Sequence, residues 1–316
     1  MIAVNDPAGT GIAFCRAVNR LERKNRHTCR IVTLETRYTH SWDKDLHLPD
    51  LNAAGLAELE RLLKTSDVLH FHMTADENLR LGPFLPADYL AGKAVVHHEH
   101  GHHDFRSDPE RFRAKYRALG RKNLLVSTPD LLRLMPEACW QPNLVPEQEP
   151  LFRPTERHWT APLRLAHSPT RKDLKNTDEL VSVVEELGRE GVGIRLDLID
   201  NVPNRECLER KQAAHALFDH MQGYYGVSSL EGLSQGLAVI AGLDEWNRAH
   251  VAEFAGTTDL PWVVARGRDE LALRLRELAG DMERCREIGR ASRRFMEDRW
   301  SEAKVAGRLA DFWDAL

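Results

Sequence analysis

The feature that most constrains the fold is an alternation that the chain carries out twice. Short β-branched runs at 1–4 (MIAV), 30–34 (RIVTL), 67–72 (DVLHFH), 93–98 (KAVVHH) and 123–127 (NLLVS) are separated by longer stretches. Two of those stretches, Gly11 to Lys24 and Leu56 to Lys64, carry apolar residues at helical spacing. Strands alternating with helices predict βαβ units on a parallel sheet. From Trp140 to Pro162 the periodicity lapses, and prolines stand at 142, 146, 150, 154 and 162, the composition of a linker. The alternation then resumes with predicted strands at 163–167, 194–199, 216–219, 237–242 and 262–265. Helices are predicted between them at Thr177 to Glu190, Arg205 to Ala214 and Ser229 to Gln235, and then at Asp269 to Arg294 and Ser301 to Leu316.

A chain of 316 residues has the length of two ordinary domains. The expected fold class is therefore α/β, with two Rossmann-like doubly wound parallel-sheet domains facing across a cleft. The expected boundaries are an N-terminal domain at 1–145, a linker at 146–159 and a C-terminal domain at 160–297, with the helix at 301–316 packing back on the first domain. Sheets of this kind bind ligands at the carboxyl ends of their strands.

The formal charge of −4 argues against a general nucleic-acid binder. One segment, 106–122, carries seven Arg or Lys against two acidic residues, and Arg16 to Arg30 is also basic. Such a face attracts an anionic acceptor or a membrane surface, or is simply a solvated helix face. The five cysteines, Cys15, Cys29, Cys139, Cys207 and Cys285, are odd in number and form no CxxC pair, which fits neither a disulfide framework nor a thiolate zinc site. With no leader-like start and no apolar run long enough to span a bilayer, the expectation is a cytoplasmic protein, peripheral at most to the inner membrane face.

Four stretches carry candidate chemistry. In HMQGYYGVSSLEGLSQGLAVIAG (220–242) a glycine-rich turn opens a short helix, and the S-x-x-E spacing of Ser228 and Glu231 predicts a capping box with Ser228 at the N-cap. Free amides at that helix end suit a diphosphate, and a plain cap is the other reading. In LAHSPTRKDLKNTDEL (165–180) a strand ends in a loop bearing Arg171, Lys172 and Lys175. Cations there suit a leaving nucleoside diphosphate, whose bridging oxygen gains charge as the glycosidic bond breaks; a solvated loop is the alternative. In NDPAGTGIAF (5–14), Gly9 and Gly11 allow a tight turn close to a ligand, in a pattern that is neither a dinucleotide fingerprint nor a P-loop. In HHEHGHHDFR (97–106), five histidines fall within seven residues. One of them can serve as acid/base or orient a sugar. A metal site is a rival reading, because His98, His100 and His102 alternate along an extended chain. Loop polarity is a third.

Taken in order, these stretches resemble the family 4 glycosyltransferases of GT-B fold over nearly the whole chain. NDPAGTG is similar to the family's N-terminal glycine-rich loop, DVLHFH to its "HFH" strand, and HEHGHHDFR to its His-Gly-x-Asp-x-Arg region. The run VSTPDLLRLMPEACWQPNLVPEQEPLFRP (126–154) resembles the family's passage from strand to proline-rich linker. HSPTRKDLKNT resembles its phosphate-binding stretch, GVSSLEGLSQGLAVIAG its G…LEAMA-G-PVI stretch, and the last helices its closing helices. The resemblance implies that Arg171 and Lys175 hold the diphosphate and that Glu231 bonds the ribose hydroxyls. It implies that amides of Gly226, Val227, Ser228 and Ser229 support the phosphates, that Gly9, Thr10 and Gly11 approach them from the other domain, and that His100 lies beside the transferred sugar. The first Glu of the family's E-x7-E motif falls on Gly223, next to Gln222.

The function so implied is transfer of a sugar from a nucleoside-diphosphate sugar, UDP- or GDP-linked, to an acceptor such as a glycan, a lipid-linked or small molecule, or modified nucleic acid. Retention of configuration is expected. No cofactor and no metal are expected beyond the nucleotide-sugar co-substrate, since Arg171 and Lys175 supply the charge. The alternatives are a nucleotide-sugar-binding protein of the same fold without catalysis, and a histidine-based, metal-dependent enzyme acting on nucleotide sugars.

Overall fold

The computed structural model describes residues 1–36 and 44–316, which form two compact units. Residues 1–36, 44–143 and 303–316 belong to the first, and 144–302 to the second.

The first unit contains β1 (Ile2–Ala3), α1 (Thr10–Arg20), β2 (Val32–Thr33), β3 (Leu46–His47), α2 (Ala53–Thr65), β4 (Val68–His72) and β5 (Ala94–Glu99). It continues through α3 (His103–Ser107), α4 (Pro109–Ala118), β6 (Asn123–Val126) and β7 (Cys139–Trp140). The strands form one seven-stranded sheet in the order β3-β2-β1-β4-β5-β6-β7, parallel throughout. Burial on both faces explains why β4 and β5 show no alternation of apolar and exposed residues. Ile2, Val32, Leu59, Leu69, Phe71 and Val95 form the heart of its core. The edge strands β3 and β7 have two residues each, too short to stand out in a sequence pattern.

In the second unit, β8 (Leu163–His167), α5 (Thr177–Arg189), β9 (Ile194–Leu198), α6 (Asn204–Gln212) and β10 (Ala216–Phe218) are followed by α7 (Val227–Ser234) and β11 (Ala238–Ala241). Then come α8 (Glu245–Ala255), β12 (Val263–Val264), α9 (Arg268–Gly280) and α10 (Met282–Arg299). Its parallel sheet has the order β12-β11-β10-β8-β9. Leu165, Phe218 and Ile240 from the sheet pack with Leu180, Val183 and Leu275 from α5 and α9. The helical stretch expected at 269–294 is divided at Asp281, whose extended backbone (φ −136°) ends α9 while its carboxylate accepts the Arg284 N–H and caps α10.

The last helix, α11 (Glu302–Asp314), lies in the first unit from Ala303 onward. Arg23 reaches Asp311 at 2.6 Å and Asp314 at 2.7 Å, and the Gln141 side chain donates to the Val305 carbonyl at 3.1 Å. Among the described residues no helix is long and apolar enough to cross a membrane. Cys15 and Cys29, separated in sequence, bring their thiol sulfurs to 3.0 Å.

The basic segment 106–122 is mostly helical, and most of its charge is already neutralised. Arg106 pairs with Asp130, Arg113 with Glu137, Lys115 with Asp76, Arg117 with Glu110 and Arg121 with Glu77. Of the two readings of this segment, the pairing favours the solvated helix face.

Helix α10 approaches the turn after α7 without a side chain between them, because a Cβ on Gly289 would stand 2.3 Å from the Gly236 carbonyl oxygen. Helix propensity alone favours alanine by about 1 kcal/mol, but backbone cannot yield here. Gly289→Ala is expected to destabilise the second unit by about 1–3 kcal/mol, as overpacking does, read as a lower urea midpoint.

Candidate functional site

In each sheet the strand order reverses once, between β1 and β4 in the first unit and between β8 and β10 in the second. Such switch points, at the carboxyl ends of the strands, are where open α/β sheets bind ligands.

At the second switch point the organising group is Asp219, directly after β10 and 2% exposed. Its carboxylate accepts hydrogen bonds from the Lys175 ammonium at 2.8 Å, the Gly226 N–H at 2.6 Å and the Ser229 hydroxyl at 2.8 Å. Burial works against the charge of Asp219, but the attraction of Lys175 and the hydrogen bonds outweigh it and hold its pKa below the ordinary carboxylate range. Lys175 is thereby fixed at the N-terminus of α7. Its Nζ lies 2.9 Å from where a Cβ on Gly226 would stand, so any larger residue at 226 would displace it.

Glu231 has a partner that sequence spacing did not suggest. Its Oε2 lies 2.5 Å from the ammonium of Lys211 on α6, and both residues are buried. Burial disfavours the Lys211 charge, yet the Glu231 carboxylate raises its pKa above the ordinary lysine value. Lys211 also donates to Ser228 Oγ at 3.0 Å, and Ser228 Oγ lies 3.2 Å from Ser168 Oγ. The expected capping box is therefore corrected. The N-cap is Gly226, with extended backbone and no side-chain cap, Ser228 is the second residue of α7 and Glu231 the fifth. Helix geometry leaves the amides of this first turn without intrahelical acceptors. The Ser229 N–H turns back to the Gly226 carbonyl at 3.0 Å, and Val227 opens the helix between them.

Arg171 sits at the mouth of the same loop, half exposed, with its guanidinium on Asp173 at 2.6 Å, an exposed pair of the kind that contributes little. Lys172 pairs with Asp200 at 2.6 Å. His167, at the end of β8, bonds the Thr177 hydroxyl at 2.9 Å and the Phe218 carbonyl at 3.0 Å, and burial pushes its pKa down to about 4. Gly223 adopts φ +90°, a conformation that side chains rarely take, and its carbonyl accepts the Asp244 N–H at 2.8 Å and the Asn247 side-chain amide at 3.0 Å. The backbone turn itself thus disfavours a glutamate at 223.

In the first unit, Gly9 (φ 64°) is the N-cap of α1. The expected approach of Gly9, Thr10 and Gly11 to a phosphate meets a competitor, because Asp6 already accepts the Gly11 N–H at 3.0 Å and the Ile12 N–H at 2.9 Å. Thr10 is buried in the first turn of the helix.

The histidine cluster divides by strand alternation. His97 and Glu99 face one side of β5, where His97 lies 3.3 Å from Glu77 and Glu99 accepts the Tyr116 hydroxyl at 2.5 Å. Burial pushes the Glu99 carboxyl up to about 7. His98 and His100 share the other side, their rings 4.1 Å apart, with His70 and His72 of β4. The trio expected from alternation, His98, His100 and His102, does not form. Gly101 at φ 71° turns the chain, and His102 accepts the Asp104 N–H and caps α3. His100 bonds His72 at 2.9 Å, and burial lowers its pKa to about 4 against a hydrogen bond with Asn143. It is neutral at pH 7, outside the range expected for neutral-pH proton transfer, and offers a hydrogen bond instead.

No family model matches the chain, and no curated protein matches it in sequence. Solved structures do. An α-glucosyltransferase solved with UDP-glucose and DNA containing an abasic site superposes with a TM-score of 0.65 at 11% identity, over 98% of each chain. Anabaena HepE, solved with UDP and glucose, gives 0.64 at 11% identity over 100% of this chain and 99% of its own. TarM of S. aureus gives 0.55 at 13% identity over 81% of this chain, which spans 57% of TarM. The fold is that of the GT-B glycosyltransferases. Likeness at such identities concerns the fold alone.

The depressed pKa of Asp219 fixes the sign of a pH effect. A carboxyl that is more acidic folded than unfolded contributes its full stability above its unfolded value, about 3.9, and loses it as pH falls toward the folded value. Urea unfolding of the second unit should therefore show stability falling between about pH 5 and pH 2. Asp219→Asn should be less stable than wild type at pH 7 and show a shallower acid decline.

Proposed function

We propose that the chain is a glycosyltransferase that takes a sugar from a UDP- or GDP-linked donor bound in the second unit, with retention of configuration. The observation that carries this reading is the coincidence of Lys175 with the N-terminus of α7 at the β8–β10 switch point. A lysine ammonium has three N–H groups, and Asp219 takes one. The others, with the first-turn amides of α7 at Val227 and Ser228, make a cationic pocket for a diphosphate. Charge that builds on the leaving oxygen is met by groups already held in place, which is the condition under which such stabilisation is large. Arg171 adds charge from the half-exposed mouth of the loop. In this reading the diphosphate needs no divalent ion, because the two side chains and the helix end supply the positive potential.

Support also comes from solved structures of like fold that were obtained with UDP, UDP-glucose or glucose. The acceptor proposed is a glycan, a lipid-linked sugar or a small molecule rather than nucleic acid. A net charge of −4 and a neutralised 106–122 segment offer little to a phosphate backbone. A second reading, a nucleotide-sugar-binding protein without turnover, draws on Gly223, whose positive φ leaves no glutamate at that position to meet the donor sugar.

Calorimetric titration with UDP, GDP and ADP tests the donor site. One nucleotide is expected to bind with micromolar affinity, and Lys175→Met should weaken it about 10- to 100-fold, the worth of a charge-assisted hydrogen bond. Lys172→Met should change it little. Absence of binding to all three nucleotides would sink the assignment. Release of free sugar from the matching nucleotide sugar separates an enzyme from a binder.

A further inference from the structure

Among the described histidines of the first unit, which the donor site does not use, three converge. His70 and His72 are two residues apart on β4 and so point to one face, and His98 is the register partner of His72 on β5. One ring nitrogen from each lies within 4.8 Å of the other two. All three residues are buried, at 1%, 3% and 1% exposure. Among the described residues, both ring nitrogens of His70, both of His98 and Nε2 of His72 have no hydrogen-bond partner. Buried polar atoms are almost always partnered, so five unpartnered nitrogens on three adjoining rings, one nitrogen of each within 4.8 Å of the other two, are an anomaly that a bound ligand would relieve.

We infer that His70, His72 and His98 form a binding site for a divalent transition-metal ion of the zinc class. The donor set is three imidazoles, which suit zinc and its neighbours and do not suit calcium or magnesium, ions that take oxygen ligands. Nitrogens bound at 2.0–2.1 Å around a tetrahedral ion stand about 3.4 Å apart, so the present spacing closes by small side-chain rotations. His72 already has the arrangement of a metal ligand. Its Nε2 is unpartnered, while its Nδ1 is held by His100 at 2.9 Å, the outer hydrogen bond that ligating histidines characteristically make. His100 thus either orients His72 or completes the coordination. A cavity of about 570 Å³, lined among others by Ile2, Leu69 and Trp313, reaches one member of the site, His70. The ion would pin β4 to β5 and fix the ring of His100 at the carboxyl end of β5. The inference is independent of the donor site, which lies in the other unit.

The test uses untagged full-length protein, freed of metal with a chelator and titrated with Co(II) and then Zn(II). One equivalent of Co(II) per chain is expected, with visible absorption of a four-coordinate nitrogen site, displacement by Zn(II), and a higher melting temperature. His70→Gln and His98→Gln should weaken Co(II) binding by more than about 100-fold, beyond the loss of even an outer partner. His97→Gln, on the opposite face, should bind as wild type does. X-ray absorption on the zinc-loaded wild type needs no variant and should give a shell of nitrogen scatterers at 2.0–2.1 Å with imidazole features. Sub-stoichiometric binding, a shell of sulfur or oxygen, or loss of binding in His97→Gln with retention in His98→Gln would overturn it.

Discussion

The second unit depends on one buried negative charge. Asp219 lies at the end of a central strand, where an unpaired carboxylate would be prohibitively unfavourable. Three donors from two chain segments therefore converge on it: Lys175 from the loop after β8, and the Gly226 amide and Ser229 hydroxyl from the start of α7. That convergence aligns α7, sets its N-terminus at the switch point and carries a cation to it. The glycine at 226 follows from the same geometry, since Lys175 occupies the space a side chain would need. One turn further along α7, Lys211 and Glu231 repeat the device and tie the helix to α6. A half-buried and a buried ion pair thus hold the first turns of a helix whose own sequence provides no side-chain cap.

The first unit uses its buried polar groups differently. Strand alternation sorts the histidines of β5 onto opposite faces. On one face, Arg121 pairs with Glu77 beside His97, and Glu99 accepts the Tyr116 hydroxyl. On the other, the rings of His70, His72, His98 and His100 pack together, and His72 bonds His100. The same short segment is therefore a scaffold toward α4 and a nitrogen-rich pocket toward the opposite side.

What the sequence made legible was the pattern carried by many residues at once. The two rounds of alternating strand and helix, and a cationic loop after β8, are visible because apolar period and β-branching repeat over long windows. What it hid were pairings between distant residues. Nothing near Asp219 in the sequence points to Lys175, forty-four residues earlier, or near Glu231 to Lys211. The S-x-x-E pattern misled because its spacing fits residues two and five of a helix as well as a cap and its partner, and only the glycine-rich turn before it decides. The histidine alternation misled for a local reason, as one left-handed glycine at 101 ends the extended chain before His102 can join. The cluster that did form draws two members from β4, a contact that sheet register creates.

The placement of α11 in the first unit has a consequence for biosynthesis. Residues 144–302 form a continuous stretch, so the second unit is complete as soon as that stretch has left the ribosome. The first unit begins earlier but lacks the helix on which Arg23, Trp140 and Gln141 close until residues 303–316 have followed. Domains generally complete in the order of synthesis; here the unit that begins first is the one whose residues are completed last. The half that is translated first waits with an uncovered flank while the half that is translated second finishes.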